Sequence, residues 1–585
     1  MKRSAWNHSR WTTNEIMQKR WIFKDQPNSK VVKELAQSLE IGESMATLLA
    51  QRGIDTFEEA KTFFRPSLQA HLHDPFLMQD MDKAVTRLEK ALKNQEKILI
   101  YGDYDVDGTT SVSLVYGFLQ QYHPHLDYYI PDRYLEGYGI SKTSIDWAKE
   151  NDFSLVIALD CGIKSVELMD YANHQGIDYI ICDHHLPGDQ IPKAHAVLDP
   201  KRKDCDYPFK ELSGCGVGFK LMQAYCEKND ISVEKLYPFL DLLVISIACD
   251  IVPIVGENRV LAFYGLRQLN QTQRIGLKAL IDVAKFSDDT VLNISNVIFG
   301  LGPRINAAGR IQHAKKAVML LVSDNKREAD YVAELINKDN MQRRDLDTSI
   351  TEEALAMIHQ DRLETAKTTV LFKENWHKGV IGIVASRCIE SYHRPTVILT
   401  QHNGKATGSA RSVPGFDLYQ AIESCADLLE QFGGHMHAAG LTMQVENIEH
   451  FRKKFEEVVA QSINDAQLTP LIDIDAKLSL DDITGKFYRI LQQFAPFGPA
   501  NMRPVFVSED LYAEYPKLLK EKHVKFRTRQ KGSSAFFDAI GFGMPEHFER
   551  IANGEKFALC YSIDENRYRG QTSLQLRIKD IKFYD

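Results

Sequence analysis

A short apolar run, Lys97-Ile98-Leu99-Ile100, opens directly into three carboxylates within five residues, YGDYDVDGTTS at positions 101–111. The run reads as a buried strand and the stretch from Ser111 as a helix, which puts Asp103, Asp105 and Asp107 on a loop at the carboxyl end of a strand. In open α/β sheets that edge is where ligands bind. Three carboxylates so close repel one another unless a positive charge neutralises them, and hard oxygen ligands suit Mg²⁺ or Mn²⁺. A solvated acidic turn is the plain alternative. The spacing imitates the first half of a calcium loop, but the position six residues after Gly108, where that loop needs Glu, is Leu114. The calcium reading fails there.

From residue 97 strand-like and helical segments alternate. Runs at 98–101, 128–131, 155–160, 179–183 and 196–198 predict a mostly parallel sheet, hence an α/β fold. Two of them end in further acidic chemistry, Asp160 before Cys161-Gly162 and Asp183-His184-His185. The apolar run 242–249 ends at Asp250. Singly, each has a dull explanation: a helix N-cap, exposed loop histidines, a buried hydrogen-bonded carboxylate. Jointly, the carboxyl ends of neighbouring parallel strands bring these carboxylates and two imidazoles toward one crevice. Such a set supports two-metal hydrolysis, with ions about 3.5–4 Å apart. The absence of a GxxxxGK[ST] loop and of a Ser-His-Asp elbow disfavours a P-loop nucleotidase and a covalent hydrolase.

A chain of 585 residues suggests about three or four domains. Its formal net charge of −8 excludes a generally basic surface, so a nucleic-acid role needs local positive grooves. Nine cysteines without a CxxC pair read as core residues of a reducing, cytoplasmic compartment. Residues 1–11 are basic but carry no apolar h-region, so no secretory signal is expected. No apolar run reaches membrane-spanning length.

The expected organisation is a helical region at 1–90, a catalytic α/β domain at 91–270, a helical connector at 271–350, a second α/β domain at 351–465 and a β-rich domain at 470–585. Strands of the second α/β domain are expected at 369–372, 396–399, 404–409 and 441–444, with an amphipathic helix at 416–432. GPRINAAGR, at 302–310, is too rich in glycine and asparagine for plain helix. Its Arg304 and Arg310 suit bidentate phosphate contacts, or a structural turn with surface arginines. The last domain shows strand-like runs at 473–478, 504–507, 524–528, 534–541, 557–562 and 572–578, which suggest a small OB-like β-barrel. Lys517, Lys520, Lys522, Lys525, Arg527, Arg529 and Lys531 lie near Phe526, Phe536 and Phe537, a mixture that suits single-stranded nucleic acid; a solvated hairpin over core phenylalanines is the alternative.

Asp183-His184-His185, preceded by YGDYDVDG and LDCG and followed by Asp250, resembles the DHH phosphoesterase superfamily. With GPRINAAGR, with GSARS at 408–412 and with GGHMHAAG at 433–440, the chain resembles the RecJ type of single-strand-specific exonuclease over about residues 95–445. The resemblance implies a DHH domain, a DHHA1-like domain and an OB-fold. It implies two Mn²⁺ or Mg²⁺ ions, with Asp105 and Asp107 on different ions, Asp160 bridging, and His184 and Asp250 as further ligands. His185 then lies near the scissile phosphate and Asp183 orients a histidine. Tyr101 stands where related pyrophosphatases carry a histidine ligand, so Asp103 is the candidate to complete that metal. Substrate contacts fall to Arg133, Arg304, Asn306, Arg310, Ser409, Arg411, Gly434 and His435, with Ser409, Arg411 and Arg133 forming a pocket for a terminal phosphate. The implied activity is 5′-end exonuclease action on single-stranded DNA in repair and recombination, with single-strand-binding protein and a helicase as partners. A phosphodiesterase for short oligonucleotides or cyclic dinucleotides and a non-catalytic single-strand DNA scaffold are the rival readings.

Overall fold

The computed structural model describes residues 18–287, 289–568 and 571–584. The basic start of the chain lies outside the described residues. The chain divides into two compact units: Lys61–Asp345 with Phe494–Met502, and a second made of residues up to Ala60, Leu346–Gln493 and Arg503–Asp585.

The second unit contains the first described strand, Arg20–Phe23 (β1), and the helices Ser29–Ser38 and Glu43–Ala50. So the region read as helical also contributes a strand.

The first unit is built on five parallel strands: Ile98–Gly102 (β2), Leu126–Tyr129 (β3), Leu155–Leu159 (β4), Asp178–Cys182 (β5) and Ala196–Leu198 (β6), in the order β3-β2-β4-β5-β6. β2 and β4 are buried throughout, as strands covered on both faces must be. Ile98, Ile100, Ile157 and Leu159 face one core, shared with the helices Val106–Leu119, Gly214–Lys228 and Leu240–Cys249. Leu99, Tyr101, Val156 and Ala158 face a second core under the helices Lys142–Glu150 and Val166–Gln175. The strand order reverses between β2 and β4, and ligands of open α/β sheets bind at such a switch point.

Two local expectations are corrected here and one open run is resolved. Helix Val106–Leu119 begins five residues earlier than the hydroxyl-rich stretch suggested, so Asp107 sits in its first turn rather than on a loop. The apolar run before Asp250, which the sequence leaves open between strand and helix, is the helix Leu240–Cys249, buried nearly all round. GPRINAAGR forms the helix Gly302–Ile311, entered through a wide π turn at Val297–Leu301. There, packing outweighs the weak intrinsic preference of glycine and asparagine.

In the second unit Thr369–Phe372 (β7), Thr396–His402 (β8), Lys405–Arg411 (β9), Gln431–His435 (β10) and Ala438–Met443 (β11) form a mixed sheet in the order β10-β11-β9-β8-β7. The helix expected at 416–432 is only Leu418–Glu423 with a turn at Ala426–Leu428, and its last residues enter β10. Leu471–Ile474 (β12) pairs with β1. Ala476–Lys477 (β13), Phe506–Leu519 (β14), His523–Gln530 (β15), Phe536–Phe542 (β16), Phe557–Tyr568 (β17) and Gln571–Phe583 (β18) follow the order β13-β14-β15-β16-β18-β17, and pairing of β14 with β17 closes the barrel. The cysteines are all unpaired, and all but Cys249 are buried. No helix among the described residues is long and apolar enough to cross a membrane.

Candidate metal centre

Asp105 caps helix Val106–Leu119, its Oδ1 accepting the Gly108 N–H at 3.0 Å. Asp107 is gripped from across the fold. Its Oδ2 accepts the Gly214 N–H at 2.7 Å, and its Oδ1 accepts the Cys215 N–H at 2.9 Å and the Ser246 hydroxyl at 2.7 Å. Gly214 and Cys215 open the helix Gly214–Lys228, so the carboxylate lies at a positive helix end. Asp160 follows β4 with φ +61°, a conformation unusual outside glycine. Gly214 packs against it so closely that a Cβ there would lie 2.6 Å from Asp160 Cβ.

These elements converge on one imidazole. His184 Nε2 lies 3.2 Å from Asp160 Oδ1, 3.5 Å from Asp250 Oδ2 and 3.7 Å from Asp107 Oδ2. Asp107, His184 and Asp250 form one group of possible ligands and Asp160, His184 and His185 another, with the ligand atoms in each within 4.8 Å of one another. Both ring nitrogens of buried His184, Asp160 Oδ1 and Asp103 Oδ2 lack a hydrogen-bond partner. Orphaned buried polar atoms are costly, and divalent cations fit this oxygen and imidazole set. Asp103 also accepts the Gly139 N–H through Oδ1 at 3.2 Å. Tyr101 donates its hydroxyl to Gly139 O at 2.7 Å and stacks on Tyr129, which commits it away from the ligand set.

The electrostatics say the same. Burial, reinforced by neighbouring carboxylates, holds Asp103, Asp105 and Asp160 above the usual carboxylate range and pushes Asp250 up to about 9. Burial lowers His184, which favours the neutral imidazole that binds metal. Asp183 behaves oppositely. Burial would raise it, but the hydrogen bond and charge of His185 outweigh burial and bring it to about 2. Its Oδ1 accepts His185 Nδ1–H at 2.7 Å and the N–H groups of His184 and His185 at 2.7 and 3.1 Å; Oδ2 accepts the Ile163 N–H at 2.8 Å. The same contact raises His185 against the pull of burial.

The residues read as substrate-binding belong to both units. Arg133 stacks 4.7 Å over the Tyr104 ring, in the unit that holds the carboxylates. Arg310 and Asn306 lie on the helix Gly302–Ile311, where the Arg310 carbonyl accepts the Tyr134 hydroxyl. Arg304 on the same helix donates to Asn337 Oδ1, Gly300 O and Val283 O at 3.1, 2.6 and 3.3 Å. Ser409, Arg411, Gly434 and His435 belong to the other unit. Arg411 Nη1 donates to Ser409 Oγ at 2.9 Å, and His435 and Arg411 flank Ala438 in register across β10-β11-β9. Phe526 is buried in the barrel core, whereas Phe536 is 47% exposed with Arg527 and Arg529 stacked 4.5 and 5.0 Å over its ring.

Residue-by-residue reading missed Gly214, Cys215 and Ser246, which hold Asp107, and Ser213, which caps the helix that carries the first two. The one available signal was Ser213 before three small residues, an N-cap whose Oγ accepts the Gly216 N–H. It also missed Tyr138, whose hydroxyl donates to Asp160 O at 3.1 Å and lies 3.2 Å from His185 Nε2.

A parallel sheet that gathers carboxylates around a histidine at its switch point is the arrangement of the DHH class, and residues 97–247 match the DHH family, N-terminal domain. Residues 365–461 match the DHHA1 domain and 474–580 the RecJ OB domain. The chain is 38% identical over 565 residues to the single-stranded-DNA-specific exonuclease RecJ of Bacillus subtilis strain 168, covering 96% of this chain and 70% of that protein. The crystal structure of RecJ in complex with Mn²⁺ from Thermus thermophilus superposes with a TM-score of 0.82 at 26% identity, over 97% of this chain and 80% of that one. The Mg²⁺ complex of the same protein gives 0.76 at 25% identity, over 97% and 79%. The chain belongs to the RecJ family of single-stranded-DNA-specific exonucleases.

Proposed function

We propose that this protein is a metal-dependent exonuclease that hydrolyses single-stranded DNA from its 5′ end at a two-ion centre. The observation that carries the reading is the convergence of Asp107, Asp160 and Asp250 on His184 Nε2 at the switch point of a DHH-family sheet. Asp103, Asp105, Asp107, Asp160, His184 and Asp250 would hold the Mn²⁺ or Mg²⁺ ions. When bound, such ions polarise the scissile phosphate, activate water and stabilise the leaving oxygen.

The chain's own groups do the rest. The amides of Gly214 and Cys215 and the Ser246 hydroxyl fix Asp107 before substrate arrives. Asp183 holds a proton on His185 Nδ1 and keeps the ring cationic more readily, so Nε2–H can donate to a phosphate oxygen or to the departing one. Ser409 and Arg411 take the 5′-terminal phosphate, with Gly434 and His435 beside them. Arg133, Asn306 and Arg310 take phosphates nearer the centre. Arg304, whose donors serve Asn337 and two carbonyls, holds its helix. The Arg527, Phe536 and Arg529 face of the barrel suits the uncut single strand on the 3′ side of the cut. A helicase and a single-strand-binding protein would supply such strands during cytoplasmic repair and recombination.

The test is digestion of 5′- and 3′-labelled single strands and duplexes with Mn²⁺ or Mg²⁺, for wild type and Arg411→Ala. Release of label from the 5′ end of single strands only is expected. Arg411→Ala should shrink the preference for 5′-phosphorylated over 5′-hydroxyl ends, by the equivalent of about 1.5–3 kcal/mol for a charged hydrogen bond. Release of the 3′ label first would overturn the polarity.

A further inference from the structure

The segment Phe494–Met502 packs in the metal-bearing unit, although the chain on either side of it belongs to the other. It seats on the loop that follows Asp250. The Ile254 N–H donates to Pro499 O at 2.8 Å. Gly498 and Asn501 exchange backbone hydrogen bonds at 2.9 and 3.1 Å around Ala500, which takes φ +58°. The buried Asn501 side chain donates to Phe494 O and Pro496 O at 2.8 and 2.9 Å, so the segment is closed on itself. A Cβ on Gly498 would lie 2.5 Å from Ile254 Cγ1, a contact only glycine permits. At the other end Phe494 is buried edge-on against Phe63 and Phe64, and Arg259, stacked 3.6 Å over Phe63, donates to Phe494 O at 2.8 Å and Ala495 O at 3.2 Å.

The loop is therefore held on both sides of the carboxylate. The Asp250 N–H donates to Ser246 O at the end of helix Leu240–Cys249, and Ile254 is pinned four residues later. Between them Ile251 is left-handed at φ +61° and 64% exposed. A tether this short passes a displacement of Ile254 to Asp250, and metal ligands must sit within about 0.2 Å of their proper distances.

We propose that Phe494–Met502 is a latch that sets the position of Asp250, with Gly498 and Asn501 as positioning residues for metal binding. The proposal rests on the reading of Asp250 as a ligand. It means that residues far along the chain, between the barrel strands β13 and β14, help to position the metal centre.

The experiment is Mn²⁺ binding to the full chain, followed by the electron paramagnetic resonance signal of free Mn²⁺, for wild type, Gly498→Ala, Gly498→Ala with Ile254→Ala, and Asp250→Asn. Circular dichroism checks the fold, and single-strand binding without metal is measured beside it. Gly498→Ala should weaken Mn²⁺ about 10-fold, the scale of a lost supporting contact, with metal-free DNA binding unchanged. The double variant, which removes the clashing Cγ1, should regain most of that loss. If Gly498→Ala does not fold, Asn501→Ala carries the same test, since it deletes two hydrogen bonds and adds no atom. A folded Gly498→Ala with the wild-type isotherm, while Asp250→Asn binds weakly, overturns the latch alone. A wild-type isotherm for Asp250→Asn overturns the ligand reading beneath it.

Discussion

Replacing Asp183 by asparagine keeps the shape of the side chain and removes its charge. In the folded protein this carboxyl titrates at about 2 against an ordinary 3.8, because the bond and charge of His185 and the surrounding N–H donors outweigh burial. That gap corresponds to about 2 kcal/mol favouring the ionised form. The sign follows from the depressed value. This contribution is fully present above about pH 4 and is lost as pH falls toward 2. At neutral pH the asparagine variant therefore forfeits up to about 2 kcal/mol, shared between the stability of the His184–His185 turn and the orientation and charge of His185. If all of it acted at the transition state the rate would fall about 30-fold, which sets the ceiling. The assay is steady-state hydrolysis of a 5′-phosphorylated single strand at saturating Mn²⁺, with Mn²⁺ binding measured separately. We expect kcat to fall between about 10- and 30-fold while KM and Mn²⁺ affinity change much less. A kcat within twofold of wild type in a folded variant would show that Asp183 does not act through His185.

Other outcomes follow from the same geometry. Asp160→Ala should abolish hydrolysis while single-strand binding survives; near-wild-type turnover at saturating Mn²⁺ would exclude a bridging role. The raised carboxylates, with Asp250 at about 9, bind more protons folded than unfolded, so the metal-free protein should lose stability as pH rises from about 4 to 9. Thermal melts with and without Mn²⁺ should diverge with pH, and a metal-induced gain that does not grow toward pH 9 would refute this. In the barrel, Arg527→Ala with Phe536→Ala should weaken binding to long single strands, and losing one phosphate contact should flatten the salt slope by about 0.7. Equal slopes would assign that face to a protein partner. Point changes are the right tool there, because truncation near Thr469 would also remove Phe494–Met502 from the metal-bearing unit.

Much of this protein was legible in one dimension. Apolar runs ending in Asp103, Asp160 and Asp183 announced a parallel sheet with chemistry at its carboxyl edge, since burial on both faces and the strand-end rule act locally along the chain. The ordered motifs named the family for the same reason. Periodicity alone left the run before Asp250 open between strand and helix, because residues buried all round carry no period. Glycine and asparagine content misled at 302–310, where tertiary packing overrides propensity. What grips Asp107 is set by Gly214, Cys215 and Ser246, more than a hundred residues away, and what pins the loop after Asp250 is set by Pro499 and Gly498. Ligand identities are local and can be read from side-chain chemistry. The positions of those ligands depend on contacts between distant segments, and only the folded chain brings those segments together.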